Sequence, residues 1–288
     1  MSVLGDAASG RWPGILTALG VPARILNHKN QSCLMCGGKD RFRFTDFQKK
    51  GGWICNECGH GDGFELLKRL KGIEYPEAAR MVEEVVGKVE PDKRPVQSLV
   101  QKRKAAADLW ASGGPVRGPV AEYLIGRGIN PPWPDNLRAV DGPEGWMMLA
   151  RVQDPSGKGI SVHRTWISPK RRKMMPGELP AGSAIRLAPV KWEMGIAEGI
   201  ETAVRAGRML GIPTWAAISA DQMAVWKPPE GIEKLYIFGD NDLNFHGQHK
   251  AYECARAAHK MGIKVEVWIP EEAGTDWADG PMAGLGSR

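Results

Sequence analysis

The chain is short of cysteine and tyrosine, and it lacks any long apolar run. Five cysteines are too few and too unevenly placed for the disulfide framework of a small secreted domain. Four of them fall in two Cys-x-x-Cys pairs, and Cys254 stands alone in an apparent helix. In a cytosolic chain such pairs point to metal rather than to disulfides. No stretch approaches eighteen consecutive apolar residues, so no transmembrane helix and no membrane partner are expected. The opening MSVLGDAASGRW has neither the charged start nor the apolar stretch of a secretory signal, and a cytoplasmic location is expected. There is no internal repeat and no Gly-x-x-x-x-Gly-Lys-Ser/Thr, which excludes a P-loop nucleotide hydrolase within this sequence.

What is present fits a globular protein with two or three compact units in 288 residues. The 39 Lys and Arg outnumber the 33 Asp and Glu, a formal net charge of +6, which suits a polyanion partner only in a general way. The placement of the charge says more. Nine basic residues lie between Arg151 and Lys191 against Asp154 and Glu178 alone, a local surplus of seven. Four segments are expected: residues 1–90 around the cysteines, a linker and helix over 91–118, a basic mixed α/β block over 119–190, and a C-terminal unit over 191–288. In the last, apolar runs at 194–197, 214–219, 234–238 and 264–269 alternate with helical patterns at 200–210, 221–226 and 247–261. That alternation predicts a parallel sheet covered by helices on both faces.

Cys33-x-x-Cys36 and Cys55-x-x-Cys58, eighteen residues apart, have the spacing of a four-cysteine zinc ribbon holding one structural Zn²⁺. His60 follows Cys58 too closely to replace it. Between the pairs, strand alternation in Arg41-Phe42-Arg43-Phe44 turns both rings toward the metal-centred core and leaves Arg41 and Arg43 outward, where guanidinium groups suit phosphates and guanine edges. In the C-terminal unit, acids fall just beyond predicted strands: Glu198, then Asp240-Asn241-Asp242, then Asp276 and Asp279. Ligands of parallel α/β sheets bind beyond the carboxyl ends of the strands. Crowded carboxylates repel unless a cation intervenes, and Mg²⁺ or Mn²⁺ with its preference for oxygen ligands is the natural one. Each acid taken singly is more often a turn or cap residue.

The segments EGIET (198–202), IFGDND with the following GQHKAYECARAA (237–258), and TDWAD (275–279) resemble the Toprim domain of DnaG-type primases, topoisomerases, recombination mediators and some nucleases. CLMCGGKDRFRFTD through GGWICNECGHGDGFELLKRL resembles the zinc-binding domain of phage-type primases. YLIGRGI (123–129), SVHRTWISPKRRKMMPG and SAIRLAP resemble the region that precedes Toprim in phage and prophage primases. The resemblance implies a primase in a bacterial cell or phage-infected host, making short RNA primers on single-stranded DNA from ribonucleoside triphosphates. It implies Glu198, Asp240 and Asp242 as catalytic acids, these with Asp276 as ligands of two metal ions, and Asp279 as a further candidate. Arg164, Lys170, Arg171, Arg172, Lys173 and Arg186 would hold template and nucleotide phosphates. A helicase would be a separate partner, or the sequence a piece of a longer one. Glu201 is expected to be an ordinary exposed residue of a first helical turn. Two other readings stay open: a non-catalytic recombination mediator, and a Toprim nuclease or topoisomerase. A topoisomerase needs a nucleophilic tyrosine, and only Tyr75, Tyr123, Tyr236 and Tyr252 exist, with Tyr236 inside a predicted buried strand.

Overall fold

In a computed structural model describing residues 3–92 and 98–278, the chain divides into two compact units, one up to Val96 and one from Gln97. The first opens with helices α1 (Val3–Ala8) and α2 (Trp12–Ala18). A three-stranded antiparallel sheet follows, made of β1 (Phe42–Phe44), β2 (Trp53–Cys55) and β3 (Gly59–Gly61). Helices α3 (Gly63–Lys71) and α4 (Tyr75–Val86) complete the unit. The Asp62 side chain caps α3 by accepting from the Glu65 amide at 2.9 Å. Gly72 ends α3 in the left-handed region at φ 65°, and Pro76 sits in the first turn of α4, where a missing N–H costs nothing. Phe42, Phe44 and Trp53 are buried with Trp12, Leu16, Leu67 and Val82 in one core.

The second unit starts with α5 (Leu99–Ser112) and α6 (Gly118–Gly126). Ser98 and Gln101 form a reciprocal capping box at the head of α5. Then come β4 (Leu137–Gly142), β5 (Gly145–Gln153), β6 (Gly159–Trp166), β7 (Arg171–Met174) and the two-residue β8 (Ala184–Ile185). The last part alternates β9 (Glu193–Ala197), α7 (Ile200–Leu210), β10 (Thr214–Ala216), α8 (Ala220–Ala224), β11 (Lys234–Phe238), α9 (His246–Lys260) and β12 (Lys264–Trp268).

All nine strands of this unit form one sheet, in the order β12-β11-β9-β10-β8-β5-β6-β7, with β4 beside β5. β9 to β12 pair in parallel, and β8 joins β10 antiparallel. The expected parallel sheet is thus the parallel half of a mixed one, extended by the antiparallel strands of the basic block. One face of the parallel half carries α7 together with α6, through Leu124, Ala203 and Val204 against Ala197 and Phe238. The other carries α8 and α9, through Met223, Ala251 and Cys254 against Met194, Ile196 and Ile237. Burial pushes the Cys254 thiol up to about 12, so it is a neutral core group. No helix among the described residues is long and apolar enough to cross a membrane.

Candidate zinc centre and candidate metal-dependent active site

The first pair of cysteines sits on the loop before β1, and the second straddles the β2–β3 turn. Each Cys-x-x-Cys is followed by a glycine in the left-handed region, Gly37 at φ 70° and Gly59 at φ 86°, which turns the chain back around the sulfurs. In the first knuckle the Met35 amide lies 3.4 Å from the Cys33 Sγ. The Sγ atoms of Cys33 and Cys58 lie 3.8 Å apart, as do those of Cys36 and Cys55, and all four fall within 4.8 Å of one another. Four sulfurs at about 2.3 Å from one Zn²⁺ in a tetrahedron lie about 3.8 Å apart, so the thiols fit that ion. Without a cation they cannot all ionise. Burial and the neighbouring sulfurs push Cys58 up to about 12. Burial opposes ionisation of Cys55 as well, but the Cys58 and Glu57 amides bring it down to about 7.

Arg41 and Arg43 are exposed while Phe42 and Phe44 are buried, which is the alternation expected. Arg41 donates to Glu57 at 3.0 Å, an exposed pair of little energetic weight. Arg43 lies opposite Ile54, and Ile54 opposite His60. These three exposed side chains run across the three strands on the outward face, and His60 is not among the metal-gathering sulfurs.

The acids of the second unit stand where strand ends meet. Ala197, the last residue of β9, pairs with Phe238, the last of β11, so Glu198 and Asp240 leave adjacent strands at the same edge. The loop after β11 is laced to the segment after β12. The Asn241 amide donates to the Thr275 carbonyl at 3.0 Å, and Gly274 donates back to Asn241 at 2.6 Å. That segment is anchored by Trp277, whose ring meets Phe238 edge-on at 6.2 Å and whose Nε1 donates to the Trp268 carbonyl at 3.2 Å. The Asp242 Oδ2 accepts from the Gly247 amide at 2.8 Å. A Cβ on Gly247 would lie 2.7 Å from the Asp240 carbonyl oxygen, so α9 can start this close only with glycine there. Asp276 accepts from the Ala278 amide at 2.6 Å and lies 3.9 Å from Arg127. Burial, then the Asp242 charge, raises the Glu198 carboxyl above its usual range. Among the described residues the four cysteines are the one group of three or more metal-type ligands gathered around a point; the carboxylates share an edge without closing on one point. Asp279 lies outside the described residues. Leu243 and Phe245, 78% and 71% exposed, stand beside Asp242.

Glu201 departs from expectation. It is 4% exposed, because the first turn of α7 is covered by α6 and by the β6–β7 hairpin. Its Oε1 accepts from the Tyr123 hydroxyl at 2.5 Å and from Arg172 at 3.1 Å. Burial opposes its ionisation, but Arg172 and Tyr123 outweigh that and hold the carboxyl below its usual range. Sequence alone offered one signal, the half-buried partner Tyr123 in YLIGRGI, and it was unreadable without the contact. The other basic residues divide. Lys170 lies 5.1 Å over the Tyr123 ring. Arg164 and Arg171 both stack on Trp166, at 5.0 and 4.0 Å, and Arg171 also pairs with Glu144. Lys173 is exposed. Arg186 stacks 4.6 Å from the Trp215 ring and donates to the Asp154 and Pro155 carbonyls, so its guanidinium braces a turn.

Purified protein should carry one Zn²⁺ per chain by metal analysis, and Cys36→Ser should lose it together with the folded state of the first unit. Full retention of zinc by Cys36→Ser would rule out the four-thiolate site. A carboxyl raised in the folded state contributes its stability at low pH and loses it as pH rises through the raised value. Glu198→Gln should therefore melt above wild type in EDTA at pH 7, gain less from added Mg²⁺, and lose its advantage as the pH is lowered. Equal melting curves at pH 7 would place Glu198 outside the strained acidic edge.

Residues 28–64 match the family model described as the zinc-binding domain of primase-helicase, and residues 193–286 match that of the Toprim domain. Residues 100–187 match a domain of unknown function, DUF7146. Among solved structures, the Aquifex aeolicus primase with its zinc-binding and RNA polymerase domains is 16% identical, with 97% of this chain and 82% of that one covered at a TM-score of 0.42. The primase fragment of the bacteriophage T7 primase-helicase protein is 13% identical, with 88% and 93% covered at 0.42. The domain assignment rests on the family models and on the sulfur geometry. The chain thus joins a segment matching the zinc-binding domain of primase-helicase to a segment matching the Toprim domain.

Proposed function

We propose that this protein is a DNA primase, a nucleotidyltransferase that builds short RNA primers from ribonucleoside triphosphates on single-stranded DNA. The observation that carries the proposal is the acidic edge: Glu198 and Asp240 leave neighbouring parallel strands, and the Asn241–Thr275 lacing holds the Asp276 segment beside them. In the reaction the 3′-hydroxyl of one nucleotide attacks the α-phosphorus of the next, an O–P bond forms, and the bond to pyrophosphate breaks. Divalent cations such as Mg²⁺, when bound, would lower the hydroxyl's proton affinity and neutralise the departing pyrophosphate. Glu198, Asp240, Asp242 and Asp276 are the residues assigned to hold them, with Glu198 also assigned to help remove the hydroxyl proton. Arg172 is assigned to the phosphates of the nucleotide, and Lys170 and Lys173 on the same hairpin to those of the template.

In this reading residues 1–90 choose the template site, with Arg41 and Arg43 toward DNA. Residues 91–118 connect, 119–190 supply the basic wall, and 191–288 carry the metal chemistry. A replicative helicase would be a separate partner. The test is primer synthesis on a mixed single-stranded DNA template with labelled ribonucleotides and Mg²⁺. Wild type should yield short oligoribonucleotides, and Asp240→Ala should lose on the order of 10²-fold or more of that activity while still binding DNA. DNA binding without any product from wild type would favour a non-catalytic mediator, and metal-dependent nicking of supercoiled DNA a nuclease.

A further inference from the structure

The sheet places a buried carboxylate three residues beyond Glu198 that the proposed chemistry does not use. Glu201 is 4% exposed, and its Oε1 takes two donors, the Tyr123 hydroxyl at 2.5 Å and the Arg172 guanidinium at 3.1 Å. The Arg172 side chain is itself 47% exposed, so one edge of the fork is fixed from below while the rest faces outward. Lys170, two residues earlier on the same hairpin, lies over the Tyr123 ring, which brings a second cation to the same point. Three separate segments meet here: α6, the β6–β7 hairpin and the first turn of α7.

Such a tie is a poor device for stability alone. Burying a carboxylate costs several kcal/mol, and an apolar set of equal volume is often as stable. It is an effective way to fix a guanidinium, because Arg is otherwise a long, mobile side chain whose fork must be aligned before it can bind phosphate bidentately.

We propose that Glu201 is a positioning residue: anchored by Tyr123, it holds the Arg172 guanidinium with its outward N–H groups presented to the phosphates of the reacting nucleotide. This rests on the primase reading above. It adds that the nucleotide-binding strength of the basic hairpin is set by a buried acid on the Toprim helix.

The test uses the full, zinc-loaded chain with Mg²⁺. Binding of a fluorescent ribonucleoside triphosphate and of a labelled single-stranded DNA are measured separately, beside KM and kcat for primer synthesis. Glu201→Gln keeps the side-chain volume and should raise the nucleotide Kd and KM roughly tenfold, leaving kcat within about threefold and DNA affinity unchanged. Arg172→Ala should do the same. The double variant should be no worse than Arg172→Ala alone, because a positioning group has nothing left to position. Tyr123→Phe removes only a hydroxyl and should raise KM by a smaller factor; it serves if Glu201→Gln fails to fold. Multiplying losses in the double variant, a fall in kcat at constant KM, or weakened DNA binding at constant nucleotide affinity would each overturn the assignment. Wild type that primes, with Glu201→Gln indistinguishable from it, defeats this inference alone. Wild type that neither binds nucleotide nor primes defeats the primase reading and this inference with it.

Discussion

Like charges brought to one edge of a parallel sheet repel, and the second unit is organised around holding them there. Parallel pairing sets Glu198 and Asp240 side by side, since Ala197 and Phe238 are partners. The loops beyond the strands would otherwise splay. They are kept in place by the Asn241–Thr275 exchange, by Trp277 against Phe238 and Trp268, and by the glycine that lets α9 begin against the Asp240 carbonyl. Burial first, and then the charge of Asp242, raises the Glu198 carboxyl above its usual range. A divalent cation bound there would relieve the repulsion between the acids, which would tie fold and chemistry to one requirement.

The first unit solves an analogous problem with thiols. Its strands are only three residues long, and short strands alone do not specify a stable sheet. Four sulfurs at tetrahedral spacing let one ion link both knuckles, while Phe42, Phe44 and Trp53 cover the interior side. The opposite side of the same strands is left to Arg43, Ile54 and His60. Zinc thus stabilises the unit and fixes which residues face outward.

Legibility followed physical range. The Cys-x-x-Cys spacing is local chemistry and was readable, as was the alternation of buried strands and helices from 193 onward. Gly72 in the left-handed region and Pro76 in the first turn separate α3 from α4 by local chemistry alone. The antiparallel half of the large sheet was not readable in its topology, because β8 is two residues long and carries no pattern of its own. Arg186 and Arg172 look alike in sequence. Only tertiary contact makes one a brace under a turn and the other a half-exposed fork on a buried acid. Glu201 was misread as exposed because first-turn glutamates favour helix N-termini, and nothing local reveals that α6 and the β6–β7 hairpin cover it.

The central claim is that the acids at the strand ends form a divalent-cation site. The direct measurement is titration of Mn²⁺ into zinc-loaded protein with a ribonucleoside triphosphate present, followed by electron paramagnetic resonance, for wild type and Asp242→Asn. Asn can still accept the Gly247 amide hydrogen bond, so the loop is preserved. The account predicts protein-dependent Mn²⁺ binding that is lost or strongly weakened in Asp242→Asn. Binding of equal strength in both proteins, or none in wild type, would contradict it.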